Sequence, residues 1–188
     1  MKRLFCGLMA LGLLVGLAAD AKAQPTYSFT TIDVPGSSLP SHTYATGINA
    51  LGQIVGYSDV AGAFLYDQGS YATLTVPGAT NTKAYGINDS GQIVGSYDGH
   101  GFLLDHGSYT TLDVPGSVET CAYGINSSGQ IVGNSSLGAF QLDQGSYTMI
   151  DVPGSTSTQA FGINDSGQIV GSYNDVAGQH GFLATPVP

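Results

Sequence analysis

The sequence predicts an all-β fold, a four-bladed β-propeller built from four repeats of about 38 residues. Three observations predict it. Gly-Ile-Asn recurs at Gly47, Gly86, Gly124 and Gly162, at spacings of 39, 38 and 38 residues. Each unit divides into four short segments rich in β-forming residues and bounded by turn residues, about one strand per ten residues, as in all-β folds. The chain starts with a segment of the fourth type, Tyr27 to Val34, and ends after one of the third type, Gly181 to Ala184. The expected ring is therefore closed by the N-terminal strand pairing in the last blade.

The repeats run approximately over 43–76, 81–114, 119–152 and 157–184, with 27–34 completing the last. The first segment carries the Gly of Gly-Ile-Asn, where an innermost strand comes close to its neighbours. Asn49-Ala50-Leu51-Gly52, and the matching runs at Asn88, Asn126 and Asn164, fit a type I turn closed by a left-handed glycine. The second segment begins with Gln-Ile-Val-Gly at Gln53, Gln92, Gln130 and Gln168. Its adjacent Ile and Val point to opposite sides of a sheet, so each blade is packed on both faces. The third segment centres on Phe64, Phe102, Phe140 and Phe182 and leads through Asp67-Gln68-Gly69 and its counterparts into a hairpin. The fourth ends in Val-Pro-Gly at Val34, Val76, Val114 and Val152 and alternates as an outer, partly wet strand does. Two other arrangements suit the same pattern: half of an eight-bladed ring made by dimerisation, and an open β-array.

Residues 1–23 read as a secretory signal peptide. Met1-Lys2-Arg3 forms a charged start, Leu4 to Ala19 an apolar run, and Ala21-Lys22-Ala23 a small-x-small site with cleavage before Gln24. The run is shorter than the roughly 20 residues of a bilayer-spanning helix. Cys6 leaves with the leader, and Cys121 is then the sole cysteine, so no intrachain disulfide forms in an oxidising destination. The mature 165 residues hold 12 carboxylates against Lys83 alone, a net charge of −11. Nucleic acid is excluded as a partner and anionic membrane surfaces are disfavoured. The expected product is a monomer outside the cytoplasm, extracellular or periplasmic, with no membrane attachment after cleavage.

Gly-Ile-Asn-Asp-Ser-Gly-Gln-Ile-Val-Gly-Ser-Tyr, followed by His100-Gly101-Phe102-Leu103 or His180-Gly181-Phe182-Leu183, resembles the bacterial extracellular repeat family named for its His-Ala-Phe (HAF) signature. The resemblance runs from about Thr43 to Leu183. The chain departs from the signature with Gly62 and Gly138 at the histidine position and Gly101 and Gly181 at the alanine position. The resemblance implies an extracellular repeat protein and no particular activity. Some members of such families end in a Pro-Glu-Pro sorting tail with a membrane helix. This chain ends in Ala184-Thr185-Pro186-Val187-Pro188, so free release is expected.

Loops pool at the two rims of such a fold, and one rim is variable. It carries the fourth-to-first loops, including Glu119, and the second-to-third loops around Asp59, Asp98, Ser136 and Asp175. Three residues before each Gly-Ile-Asn glycine the units read Tyr44, Lys83, Cys121 and Gln159, a column that differs while those around it barely change. Tyr44, Lys83, Glu119, Cys121, Gln159, Asp59, Asp98 and Asp175 are the candidate ligand residues. Tyr57, Tyr97 and Tyr173 add aromatic faces suited to sugars.

No metal or cofactor is expected. His100 and His180 occupy one column in opposite units, too far apart to share an ion with bonds of about 2.0–2.1 Å. They read as strand-end histidines bonding a neighbouring loop, while His42 and His106 read as solvated. The Asp89-Ser90 and Asp165-Ser166 turns lack the alternating oxygen ligands of a calcium loop. No nucleophile elbow, zinc helix or phosphate loop occurs. The function expected is that of a non-enzymatic binding or scaffold module, with polysaccharide the candidate ligand. The alternative is a carboxylate-dependent glycan hydrolase or lyase acting through the rim aspartates.

Overall fold

The computed structural model describes residues 26–35 and 42–187. The segment read as a signal peptide lies outside them. The chain divides between Thr31 and Ile32 into two units. Residues 26–31 of the first unit carry no strand. The second unit is all-β and consists of four antiparallel sheets, each a meander in chain order.

The first sheet comprises β1 (Thr43–Ile48), β2 (Ile54–Ser58), β3 (Gly62–Asp67) and β4 (Ser70–Leu74). The second comprises β5 (Thr82–Ile87), β6 (Ile93–Tyr97), β7 (His100–Asp105) and β8 (Ser108–Leu112). The third comprises β9 (Thr120–Ile125), β10 (Ile131–Ser135), β11 (Gly138–Asp143) and β12 (Ser146–Ile150). The fourth has β13 (Ser157–Ile163), β14 (Ile169–Asp175) and β15 (Gly178–Ala184).

Turn chemistry sets the register. Gly52 donates its N–H to the Asn49 carbonyl at 3.0 Å and takes a φ of 79°, closing the first hairpin, and Asn88, Asn126 and Asn164 repeat this bond with their glycines. Between the third and fourth strands both loop residues are left-handed, with Gln68 at φ 47° and Gly69 at φ 88°, the two-residue turn whose twist suits a hairpin. Gln53 Nε2 bonds Asp67 Oδ2 at 3.0 Å, as Gln130 bonds Asp143, so these two turns share one rim. The second-to-third loops meet the fourth-to-first loops on the other rim, through Asp98 N–H to the Asn81 carbonyl and Ser136 N–H to that of Glu119.

The hydrophobic core lies between sheets. Val55 packs with Ala84, Ile87, Ile93 and Phe102 of the second sheet. Val94 packs with Ala122, Ile125, Ile131 and Phe140 of the third, and Val132 with Ala160, Ile163, Ile169 and Phe182 of the fourth. The Ile-Val pair therefore serves two different interfaces, as its alternation predicts.

Each first strand contains a β-bulge, seen as a register shift at Ala45/Gly47 and Ala84/Gly86, with matching shifts in the third and fourth sheets. The bulge brings the glycine of one sheet against the next: a Cβ on Gly47 would stand 2.9 Å from the Tyr85 carbonyl oxygen, and one on Gly86 2.8 Å from that of Tyr123. A ladder of asparagines runs beside this column. Asn49 Nδ2 donates to the Asn88 carbonyl at 3.1 Å, Asn88 to Asn126 and Asn126 to Asn164 at 3.0 Å each.

One expectation differs from the structure. Residues 27–34, read as the strand that completes the last blade, form no strand, and the fourth sheet has three strands where the others have four. The physical reason lies in where the end of that segment packs. The Asp33 backbone sits at the Tyr71 hydroxyl just as the Thr75 backbone sits at that of Tyr109. Val34 is buried, as are Val76 and Val114. The stretch after Thr31 thus acts as the tail of a preceding unit against the first sheet.

Candidate functional site

Clefts open on the variable rim where neighbouring sheets diverge. The one between the second and third sheets has a volume of about 470 Å³ and is lined by Lys83, Tyr85, Ser96, Tyr97, Asp98, Glu119, Cys121 and Tyr123, with the Thr80-Asn81 and Gly99 loop backbone. A cleft of about 420 Å³ between the first and second sheets includes Tyr57, Asp59 and Lys83. A third, about 570 Å³, lies between the third and fourth sheets and includes Asn134, Ser136 and Gln159.

The bulges supply the aromatic wall of the central cleft. The extra residue in each is Thr46, Tyr85, Tyr123 or Phe161, and a bulge re-aims its side chain relative to the regular pleat. A continuous row results. Tyr44 stacks on Tyr57 with centroids 4.9 Å apart, Tyr57 meets Tyr85 edge-on at 5.9 Å, Tyr85 meets Tyr123 at 4.9 Å, and Tyr123 meets Phe161 at 5.9 Å. The Lys83 ammonium lies 4.9 Å from the centre of the Tyr57 ring, a cation–π contact. Ser96 Oγ donates to the Tyr85 hydroxyl at 3.3 Å.

Electrostatics inside the cleft favour neutral groups. Burial pushes the Tyr85 and Tyr123 hydroxyls and the Cys121 thiol above their ordinary values, with the neighbouring Glu119 charge adding to each. At neutral pH the walls therefore present uncharged tyrosine hydroxyls and a thiol beside three charged side chains, the Lys83 ammonium and the Asp98 and Glu119 carboxylates.

The aspartates do something else. Asp98 accepts from Thr80 N–H at 2.9 Å, Thr80 Oγ1 at 2.7 Å and Asn81 N–H at 3.0 Å, and these bonds hold its carboxyl below the usual range. Asp175 accepts from the Ala177 and Gly178 N–H groups and pairs with His180, again lowering its pKa, the Ala177 bond being the main cause. Asp59 holds His42 at 2.8 Å. In the third sheet Ser136 takes the same place, bonding Ser117 Oγ at 2.9 Å. The first three units clip the same two loops with different side chains, whereas in the fourth Asp175 stays within its own hairpin and Thr156 reaches the Asn174 carbonyl instead.

The candidate residues are thus split. Lys83, Glu119, Cys121 and Asp98 share the central cleft. Asp59 lines the cleft between the first and second sheets and Gln159 that between the third and fourth. Tyr44 joins through its stack on Tyr57, and Asp175 closes its own hairpin. His100 bonds Asp113 at 2.9 Å rather than the nearby Asp98. Among the described residues no group of three or more His, Cys, Asp or Glu is placed to hold a metal ion. Also among them, no helix is long and apolar enough to cross a membrane.

Sequence reasoning missed Tyr85 and Tyr123. The available signal was an aromatic residue directly before the Gly-Ile-Asn glycine in three of four units. No protein-family model matches the chain, and no curated protein matches it.

Proposed function

We propose that the protein is a secreted, non-enzymatic binding module of the His-Ala-Phe repeat type, whose sheets are blades of a propeller-type ring and whose central cleft takes a segment of extracellular polysaccharide. The blade reading is supported by the turns after the first strands of all four sheets, which line one shared depression that includes Asn49, Asn88, Asn126 and Asn164.

The ligand reading is carried by one observation. Tyr85, Tyr97 and Tyr123 wall a cleft that also offers Ser96, Lys83 and Glu119 for hydrogen bonding. Aromatic faces beside converging polar groups suit a polyhydroxylated chain, since the rings cover the C–H faces of sugars while the polar groups satisfy hydroxyls.

The glycan hydrolase or lyase reading is less well supported. A general acid at neutral pH needs a raised pKa, whereas Asp98 and Asp175 are lowered and held by backbone N–H groups.

The test is a glycan array probed with the mature protein, followed by titration calorimetry of the best ligand with Lys83→Ala and Tyr85→Ala variants. The expected result is retention of a neutral oligosaccharide with affinity reduced at least tenfold by each substitution. Retention of no glycan, or full affinity in both variants, overturns the proposal. Release of shortened sugars would favour the enzyme.

A further inference from the structure

Three junctions between sheets repeat the same chemistry, and the two end sheets carry the two unmatched halves of a fourth. In each junction the second-strand valine of one sheet faces the alanine, isoleucines and phenylalanine of the next. Val55, Val94 and Val132 are fully buried in this way, yet Val170 is 50% exposed. On the opposite halves, Ala84, Ala122 and Ala160 are fully buried, whereas Ala45 is exposed. Ile87 and Ile125 are each 8% exposed against 67% for Ile48. Leu183 is likewise 62% exposed, although Leu65 and Leu103 in its column pack into junctions.

The hydrogen-bond ladder stops at the same places. Asn49, Asn88 and Asn126 each donate Nδ2 to the backbone carbonyl of the next unit, but Asn164 Nδ2 bonds only Gln168 within its own turn, and its side is exposed. The glycine column ends too. A Cβ on Gly47, Gly86 or Gly124 would meet the neighbouring sheet's backbone within 3.2 Å, while one on Gly162 would meet only Val170.

We propose that a second copy of this chain covers both faces, head to tail: the Val170 and Leu183 face of each copy docks on the Ala45, Ile48 and Ile54 face of the other, and Asn164 Nδ2 reaches the partner's Asn49 carbonyl. The occupant is identified by the three junctions already built inside the chain, which show what each face packs against. None of the docking residues is charged, so the negative charge of the two chains is not brought together at the contact. Each junction is heterologous, and such contacts yield either rings or filaments. Two copies give a ring of eight sheets, within the usual four to eight blades, whereas three would exceed it. The result departs from the monomer that the sequence suggests.

The test is the mass of the mature protein by light scattering and sedimentation at micromolar concentration, with Val170→Asp and Ile48→Asp variants. Both positions are exposed in the single chain, so neither charge is buried unless the copies dock, and each variant keeps the parent far-UV spectrum. The expected mass is twice that of one chain for the parent and one chain for each variant alone. An equimolar mixture of the variants returns to the doubled mass, because each retains one intact face and the pair can form one junction. A monomeric parent, a larger assembly, or variants that keep the doubled mass overturn the proposal. Glycan retention by the monomeric variants is read separately, so failure here leaves the ligand reading to its own test.

Discussion

Replacing Gly95 with alanine tests the link between the bulge and the cleft wall. A Cβ at this position would stand 2.0 Å from the Lys83 carbonyl oxygen and 2.6 and 2.8 Å from two ring carbons of Phe102. Ordinary contact begins near 3.4 Å, so the carbonyl would have to retreat by about 1.4 Å. That oxygen belongs to the backbone of β5 beside its bulge and cannot rotate away. Phe102 is fully buried, and close-packed interiors leave few voids for a displaced ring. Overpacking usually costs about 1–3 kcal/mol, and a backbone obstacle places this case at the upper end, about 3 kcal/mol. For a domain of this size the melting temperature falls by roughly 2–4 °C per kcal/mol, a drop of about 6–12 °C. Gly91→Ala is the control, because it has φ +79° with nothing within 4 Å of its Cβ. It carries only the left-handed strain, about 1 kcal/mol, or about 2–4 °C. Thermal unfolding followed by circular dichroism, with urea titrations to check that the m-value is unchanged, measures both. If Gly95→Ala is no more destabilising than Gly91→Ala, the close approach does not constrain the fold and the reasoning fails.

Asn88→Ala removes two donated and two accepted bonds at a buried turn. Leaving buried backbone groups unpaired costs about 1–3 kcal/mol each, and a loss of about 3 kcal/mol is expected in urea unfolding; a loss below 1 kcal/mol would show that water replaces the ladder. Alkaline pH should weaken the fold. Tyr85, Tyr109, Tyr123 and Tyr147 and the Cys121 thiol all have raised pKa values, chiefly through burial. The folded state therefore favours their protonated forms, so their contribution to stability is level below the unfolded thiol value near pH 8.5 and falls as pH rises through the tyrosine range. Melting temperatures between pH 7 and 11 check this, and a flat profile would refute it.

Much of the second unit was legible because its signals are local. Asn-x-x-Gly and Asp-x-Gly each encode a hairpin, and adjacent Ile and Val encode a sheet buried on both faces. The position of residues 27–34 was not legible, because strand-forming residues are necessary for pairing but do not specify a partner edge. Within the cleft, Lys83 and Cys121 stood out because their column varies. Tyr85 and Tyr123 did not, since their placement depends on a bulge, and a one-residue shift in register leaves no mark in the alternation of side chains. The aspartates were misleading for a related reason: Asp98 has free-looking chemistry in sequence, yet three donors from a distant loop occupy it.

The asparagine ladder ties each turn to one about 38 residues away and to nothing farther. Order in such an array spreads from neighbour to neighbour, and its persistence depends on having a neighbour on each side. The middle two sheets should then be the last to exchange their amide protons, and the outer two should open first. Assembly into a closed circle would abolish that gradient, since a circle has no outermost member.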